Sequence, residues 1–186
     1  MRPTLEIRRA MRGDRDALHA LQKRSLRVLG AAWYEPAVIE AFLAHVGTMD
    51  DALLDVGTFF AASRDGRLVG CGGWSMRRPN YAAQMQAADA APSGAFAEAT
   101  VRSIFVDPAF ARNGIAREIM AVVEADILAA GFRRAVLTAT LAGVPFYRRV
   151  GYRDGAAAVL GLPGGLQFFG VTMDKPLLRA DWDAAA

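Results

Sequence analysis

The chain holds one cysteine, Cys71, in 186 residues, so it cannot close a disulfide on itself, and a cysteine-based metal centre is a poor reading. Its two histidines, His19 and His45, stand far apart, without the spacing of a ligand pair, and no metal is expected. No apolar run reaches the roughly 18 residues of a membrane span. Met1 to Arg12 is charged and lacks the apolar core of a secretion signal. Clustered positive charge is missing as well. The net charge of +3 comes from scattered arginines, which gives little support to a nucleic-acid partner but suits a small polyanionic ligand. No repeat and no linker interrupts the chain. These absences leave a soluble cytoplasmic protein as the expectation, with one domain over 1–176 and a tail over 177–186.

Hydrophobic residues make up 53% of the chain and charged ones 22%, enough for a sizeable core. Leu5 to Ala10 reads as a strand. Asp14 is placed to cap a helix over Asp16 to Leu29, with Leu18, Leu21, Val28 and Leu29 near helical spacing. Pro36 suits the first turn of a second helix reaching Phe42 or His45. Thr48 to Asp55 reads as a helix end or loop. Thr58 to Arg64 and Arg67 to Ser75 are strand-like runs joined by Asp65-Gly66, a two-residue hairpin signal. Arg77 to Gly94 shows no clear period and reads as a long, partly helical excursion near a binding cleft. Phe96 to Val106 is a strand, and Ile115, Ile119, Val122, Val123 and Ile127 form a helical stripe that stops before Gly131. Arg134 to Thr140 is a compact apolar strand, Val144 to Val150 a short helix, and Tyr152 to Leu160 and Leu166 to Met173 the last two strands.

The stretch from Val101 to Arg117 carries the chemistry. A buried strand runs into Arg112, Asn113 and Gly114, and a helix starts at once. A helix start offers unpaired N–H groups and positive partial charge, which a phosphate can occupy without a dedicated side chain. Gly114 lets a diphosphate approach the backbone, Ala116 keeps the next position small, and Arg112 and Arg117 can add charge-assisted contacts.

Ala111-Arg112-Asn113-Gly114-Ile115-Ala116 resembles the acetyl-CoA pyrophosphate loop of the GNAT superfamily, Gln/Arg-x-x-Gly-x-Gly/Ala. Ala111 stands where Gln or Arg is usual, which removes one side-chain contact and leaves the backbone cradle. A second segment, Phe146-Tyr147-Arg148-Arg149-Val150-Gly151-Tyr152, resembles the family's Phe-Tyr-x-x-x-Gly-Phe/Tyr. The Asn often found after the preceding strand is absent, with Thr140, Leu141 and Ala142 in that region. The resemblance covers roughly Leu5 to Pro176. It implies an α/β (α+β) fold with a mixed, mostly antiparallel seven-stranded sheet flanked by helices on both faces. It also implies that strands 96–106 and 134–140 are parallel neighbours that splay apart to receive the pantetheine arm of acetyl-CoA, and that the chain forms a homodimer, with Leu160 to Met173 available to pair or pack across a two-fold axis.

The reaction implied is direct attack of a primary amine on the thioester of acetyl-CoA. Tyr147 is the candidate to protonate the departing thiolate, since a phenol is protonated at neutral pH. Backbone N–H groups of Ile104, Phe105 and Val106 are the candidate oxyanion donors. Glu98, on the same strand face as Thr100, Arg102 and Ile104, is the candidate base, with a water relay as the alternative. Thr140 is a candidate for the contact of the missing Asn. Trp33 and Tyr34, between the first two helices, are acceptor-cleft candidates. A small-molecule amine is the expected acceptor. A non-catalytic acyl-CoA-binding module and transfer to a macromolecular amine, a protein N-terminus or aminoacyl-tRNA, stay open beside it.

Overall fold

A computed structural model of the chain describes residues 4–76, 85–87 and 98–177. Its elements run β1 (Leu5–Arg9), α1 (Arg15–Leu29), α2 (Pro36–His45), α3 (Ala52–Val56), β2 (Phe59–Arg64), β3 (Arg67–Ser75), β4 (Met85–Ala87), β5 (Glu98–Val106), α4 (Ile115–Ala129), β6 (Arg134–Thr140), α5 (Val144–Arg149), β7 (Arg153–Gly161) and β8 (Gln167–Pro176). The strands form one sheet in the order β1-β2-β3-β5-β6-β8-β7-β4. Every neighbouring pair is antiparallel except β5 with β6. Helices α1 to α3 pack on one face, and α4 and α5 on the other. The expected mixed, mostly antiparallel sheet is present.

The count exceeds seven by β4, which lies inside the excursion read as partly helical and pairs with β7 from Met85↔Leu160 to Ala87↔Ala158. Three residues are too few to show an alternating pattern in a sequence. The rest of that excursion lies outside the described residues. Asp65 and Gly66 both have positive φ, 50° and 74°, the geometry that a two-residue hairpin needs.

Two local expectations are corrected. Asp14 precedes α1 but does not cap it; its carboxylate accepts both Nη groups of Arg8 at 2.8 Å and the N–H of Met11 at 2.8 Å. On α1 the buried stripe is Leu18, Leu21, Gln22, Ser25 and Leu26, whereas Val28 is exposed. At about 100° per residue, ten residues carry Val28 off the face of Leu18. At the other end, Leu177, assigned to the tail, is buried and donates its N–H to the Arg133 carbonyl at 2.8 Å. Strand β8 is paired along both edges, to β6 and to β7, so it cannot add a strand from a second copy.

Two features position the site. The parallel pairing of β5 with β6 covers only Glu98↔Arg134 to Thr100↔Val136, after which the strands part. On its other side β5 carries a bulge. Cys71 pairs with Phe105 and Gly73 with Arg102, so Ser103 and Ile104 together oppose Gly72. Ser103 takes φ +54°, strained for a serine. Gly72 leaves room for the Ile104 side chain, whose Cδ1 would have to move if a Cβ stood there.

Candidate active site

The parting of β5 from β6 opens a cleft of about 610 Å³. The bulge side supplies Arg102 to Val106, the β6 side Thr138 and Thr140, the α4 start Ala116, and α5 with its approach Gly143, Phe146 and Tyr147. Helix α1 contributes His19, Leu26 and Leu29, helix α2 Phe42, and the segment after α2 Val46 to Asp51. Past Thr100 and Val136 neither facing edge pairs with the other. An extended polar chain laid between them would meet main-chain donors and acceptors that otherwise face only solvent.

Where β5 ends, Asp107 anchors the turn that follows. Its buried carboxylate accepts the N–H of Ala109 at 3.0 Å, Arg24 at 2.8 Å and Arg67 at 3.3 Å. Burial pushes the carboxyl's pKa up, but these three donors outweigh it, and the pKa lies below the usual value. Arg112 and Gly114 then take positive φ, 66° and 80°. Ala111 donates to Pro108 and Arg117 donates to Gly114. Among the described residues, no hydrogen bond runs from the main-chain N–H groups of Arg112 through Ala116. Five successive amide donors at the start of a fifteen-residue helix make a nest for an anion. A Cβ at Gly114 would meet nothing within 4 Å, so the space over the turn is open. Arg112, Asn113 and Arg117 are exposed on this turn, whereas the Ile115 side chain is in the core and only its N–H is available.

Tyr147 is largely buried and lines the cleft beside Thr140 and Gly143. Its ring lies 5.6 Å from that of Tyr152, edge to face, and 5.1 Å from that of Phe146. The Gly143 N–H bonds to Thr140 Oγ1 at 3.2 Å, so Thr140 shapes the turn into α5.

Apart from residues of the nest turn, three residues expected at the site do not line the cleft. Glu98 sits at the closed end of the fork, where it accepts Arg134 Nη1 at 2.8 Å. Its strand face is that of Arg102, but four residues, about 13 Å of strand, separate them. Tyr34 is 6% exposed and stacks on Phe168 at 4.3 Å. Its hydroxyl donates to the Phe169 carbonyl at 2.6 Å and accepts the Leu141 N–H at 2.7 Å. Burial raises the phenol pKa to about 12, against the opposing pull of the Leu141 N–H. Tyr34 thus ties α2's approach to β8 and to the turn after β6. Trp33 beside it is half exposed and is not among the residues that line the cleft.

What the sequence did not single out is the polar wall formed by α1 and the segment after α2. His19 Nε2 lies 2.7 Å from Asp51 Oδ1, and Asp51 also accepts Arg15 Nε at 2.5 Å. Burial raises the Asp51 pKa, but the His19 and Arg15 hydrogen bonds overcome this and hold it below the usual range. These residues are far apart in sequence and show no motif; only the packing of α1 on the 48–51 segment joins them.

A family model described as the acetyltransferase (GNAT) family matches residues 16–152. No curated protein sequence matches the chain. Among solved structures, the chain is similar to the PaiA N-acetyltransferase of Thermoplasma acidophilum in complex with coenzyme A (17% identity, TM-score 0.65, covering 93% of this chain and 99% of that one). It is also similar to a GCN5-related N-acetyltransferase of Rhodopseudomonas palustris (17%, 0.68, 94% and 96%). A third similar structure is the ribosomal-protein-S18-alanine N-acetyltransferase of Escherichia coli (14%, 0.59, 97% and 98%). The fork, the anion nest and the family match converge on one statement: the chain belongs to the GNAT family of acetyltransferases.

Proposed function

We propose that the protein transfers the acetyl group of acetyl-CoA to a primary amine of a small molecule, by direct attack. The observation that carries this reading is the run of five amides from Arg112 to Ala116, unpaired among the described residues, at the end of β5 beside a cleft that Tyr147 lines. The turn would hold the diphosphate through main-chain N–H groups, with Arg112 and Arg117 adding charge. The pantetheine arm would lie along the unpaired edge of β5. N–H groups of the bulged Ile104 to Val106 stretch would face the thioester oxygen and stabilise the oxyanion as the amine nitrogen bonds to the carbonyl carbon. Tyr147 would give its proton to the sulfur as the carbon–sulfur bond breaks.

A proton must also leave the attacking nitrogen. Glu98 is held by Arg134 outside the cleft, which favours the water relay. His19, oriented by Asp51 on the cleft wall, would receive the proton through water. The second reading, a module that binds acyl-CoA without turnover, would leave Tyr147 with packing alone. Release of free thiol from acetyl-CoA, followed across a panel of primary amines, tests the proposal. Amine-dependent release in the wild type supports it, and tight CoA binding without release for any amine supports the module. Transfer to protein N-termini with none to small amines would overturn the acceptor class.

A further inference from the structure

Among the described residues, Arg102 is a cation that no carboxylate meets. It is 8% exposed and lines the cleft. Its one described hydrogen bond runs from Nη1 to Ser75 Oγ at 3.3 Å, and among the described residues no carboxylate pairs with it. Other inward-facing charges of the molecule are treated differently: Asp107 has two arginines, and Glu124 has Lys175 at 2.7 Å. A guanidinium in a desolvated site is costly unless an anion meets it. The nearby acids are otherwise engaged. Asp51 is held by Arg15 and His19, and Asp50 accepts the N–H of Ala52 at 3.0 Å.

The phosphates of acetyl-CoA do not answer this need. Strand β5 runs toward the anion nest, and Arg102 stands four residues back from its end, about 13 Å along the strand. That places it past the bulge, on the acyl-transfer side. The charge of the anion is bounded too, because among the described residues Arg102 is joined on the cleft lining by no lysine and no second arginine, only by His19, which Asp51 engages. One guanidinium matches one carboxylate in a paired, planar contact, whereas a dianionic phosphate would be left half-neutralised. The cleft lining also carries an apolar set, Leu26, Leu29, Phe42, Val46 and Phe105, beside the polar His19, Thr48, Asp50 and Asp51.

We infer that Arg102 is the carboxylate-binding residue of the acceptor site, and that the acceptor is an amino acid with an apolar side chain, acetylated on its α-amine. The carboxylate lies on Arg102, the side chain lies against the α1–α2 wall, and the amine, one carbon from the carboxylate, faces the bulge two residues further along β5. This rests on the transfer reading above and narrows its acceptor.

The test uses L-leucine, L-methionine and L-phenylalanine, each beside its α-carboxamide. Each is titrated calorimetrically into the full chain saturated with CoA and assayed for thiol release with acetyl-CoA. At least one acid should be preferred over its carboxamide by about 30-fold or more, the scale of a charge-assisted pair. In Arg102→Met that ratio should fall to within about threefold of one. Arg102→Lys, which keeps the charge and loses the fork, should fall between. Carboxamides equal to or better than the acids, an acid preference that survives in Arg102→Met, or no binding of any acid by a chain that binds CoA would each overturn the inference while leaving the transfer reading intact. Failure of the transfer reading shows separately, as CoA binding with no thiol release for any amine, or as no CoA binding at all.

Discussion

Ser103 donates its hydroxyl to the main-chain carbonyl of Thr48 at 2.5 Å, joining the bulge of β5 to the segment that walls the cleft. The bond belongs to a closed ring. Thr48 Oγ1 donates to Gln22 Oε1 at 2.6 Å, Gln22 Nε2 contacts Cys71 Sγ at 3.4 Å, and Cys71 Sγ contacts the Ser103 carbonyl at 3.8 Å. Gln22 and Cys71 are fully buried, so the ring lies inside the α1 face of the sheet. It offsets the strain of a serine at positive φ and fixes where the bulge presents its N–H groups. Replacing Gln22 with Leu keeps the bulk but leaves Thr48 without its acceptor, and should cost about 1–3 kcal/mol, a drop in Tm of several degrees by calorimetry. An unchanged Tm would show that the ring contributes nothing.

Tyr147→Phe keeps the ring packed on Tyr152 and Phe146 and removes the proton. The fold and acetyl-CoA affinity should change little, and kcat should fall by about 10² or more. The alkaline limb of the kcat profile should move with it, measured with any active acceptor. Near-normal turnover would return Tyr147 to a packing role.

His19→Gln keeps a hydrogen-bonding group opposite Asp51 but cannot take up a proton. The kcat of this variant should drop by about tenfold or more. Equal turnover in both proteins would remove His19 from the proton path.

Alkaline conditions should weaken the fold through three buried groups, one of which is the Tyr152 phenol, raised by burial and by Glu124. Burial lifts the Tyr34 phenol from 10.0 to about 12 and the Cys71 thiol from 9.0 to about 12. The unfolded chain loses these protons first, so between about pH 9 and 12 the native state holds more protons than the unfolded one. Stability is therefore full below pH 9 and falls as pH rises, by at most about 1.4 kcal/mol per pH unit for each group. Urea unfolding at pH 8 and pH 10.5 measures the slope, which Tyr34→Phe and Cys71→Ala should each reduce. A wild-type slope that neither variant changes would contradict the assignment.

The fold was legible because its punctuation is local. Asp65-Gly66 ended one strand and began the next, the Ile115-to-Ile127 stripe set α4, and Gly114 with Ala116 marked the turn before it. The family could be read from those residues and the Phe146-to-Tyr152 run. Parity of side chains along β5 put Glu98 on the face of Arg102, but parity gives a face and not a depth, and Arg134 across the fork claims Glu98. The aromatic pair Trp33-Tyr34 marked a busy loop, but the work of Tyr34 depends on the carbonyl of Phe169, 135 positions away. Likewise His19, Asp51 and Arg102 meet the cleft only through the packing of α1 and the 48–51 segment on β5. No spacing in the sequence encodes that meeting.

Acetyl-CoA should seat over the turn at Gly114, and one titration tests this. Wild-type protein and Gly114→Val are titrated with acetyl-CoA by calorimetry, with far-UV circular dichroism on both. Gly114 has φ +80° and open space over it, so valine strains the turn by about 1–2 kcal/mol and puts its branches where the diphosphate would rest. Wild-type binding in the micromolar to millimolar range, weakened by about tenfold or more in a folded Gly114→Val chain, is the predicted result. Equal affinity in the two folded proteins would contradict it.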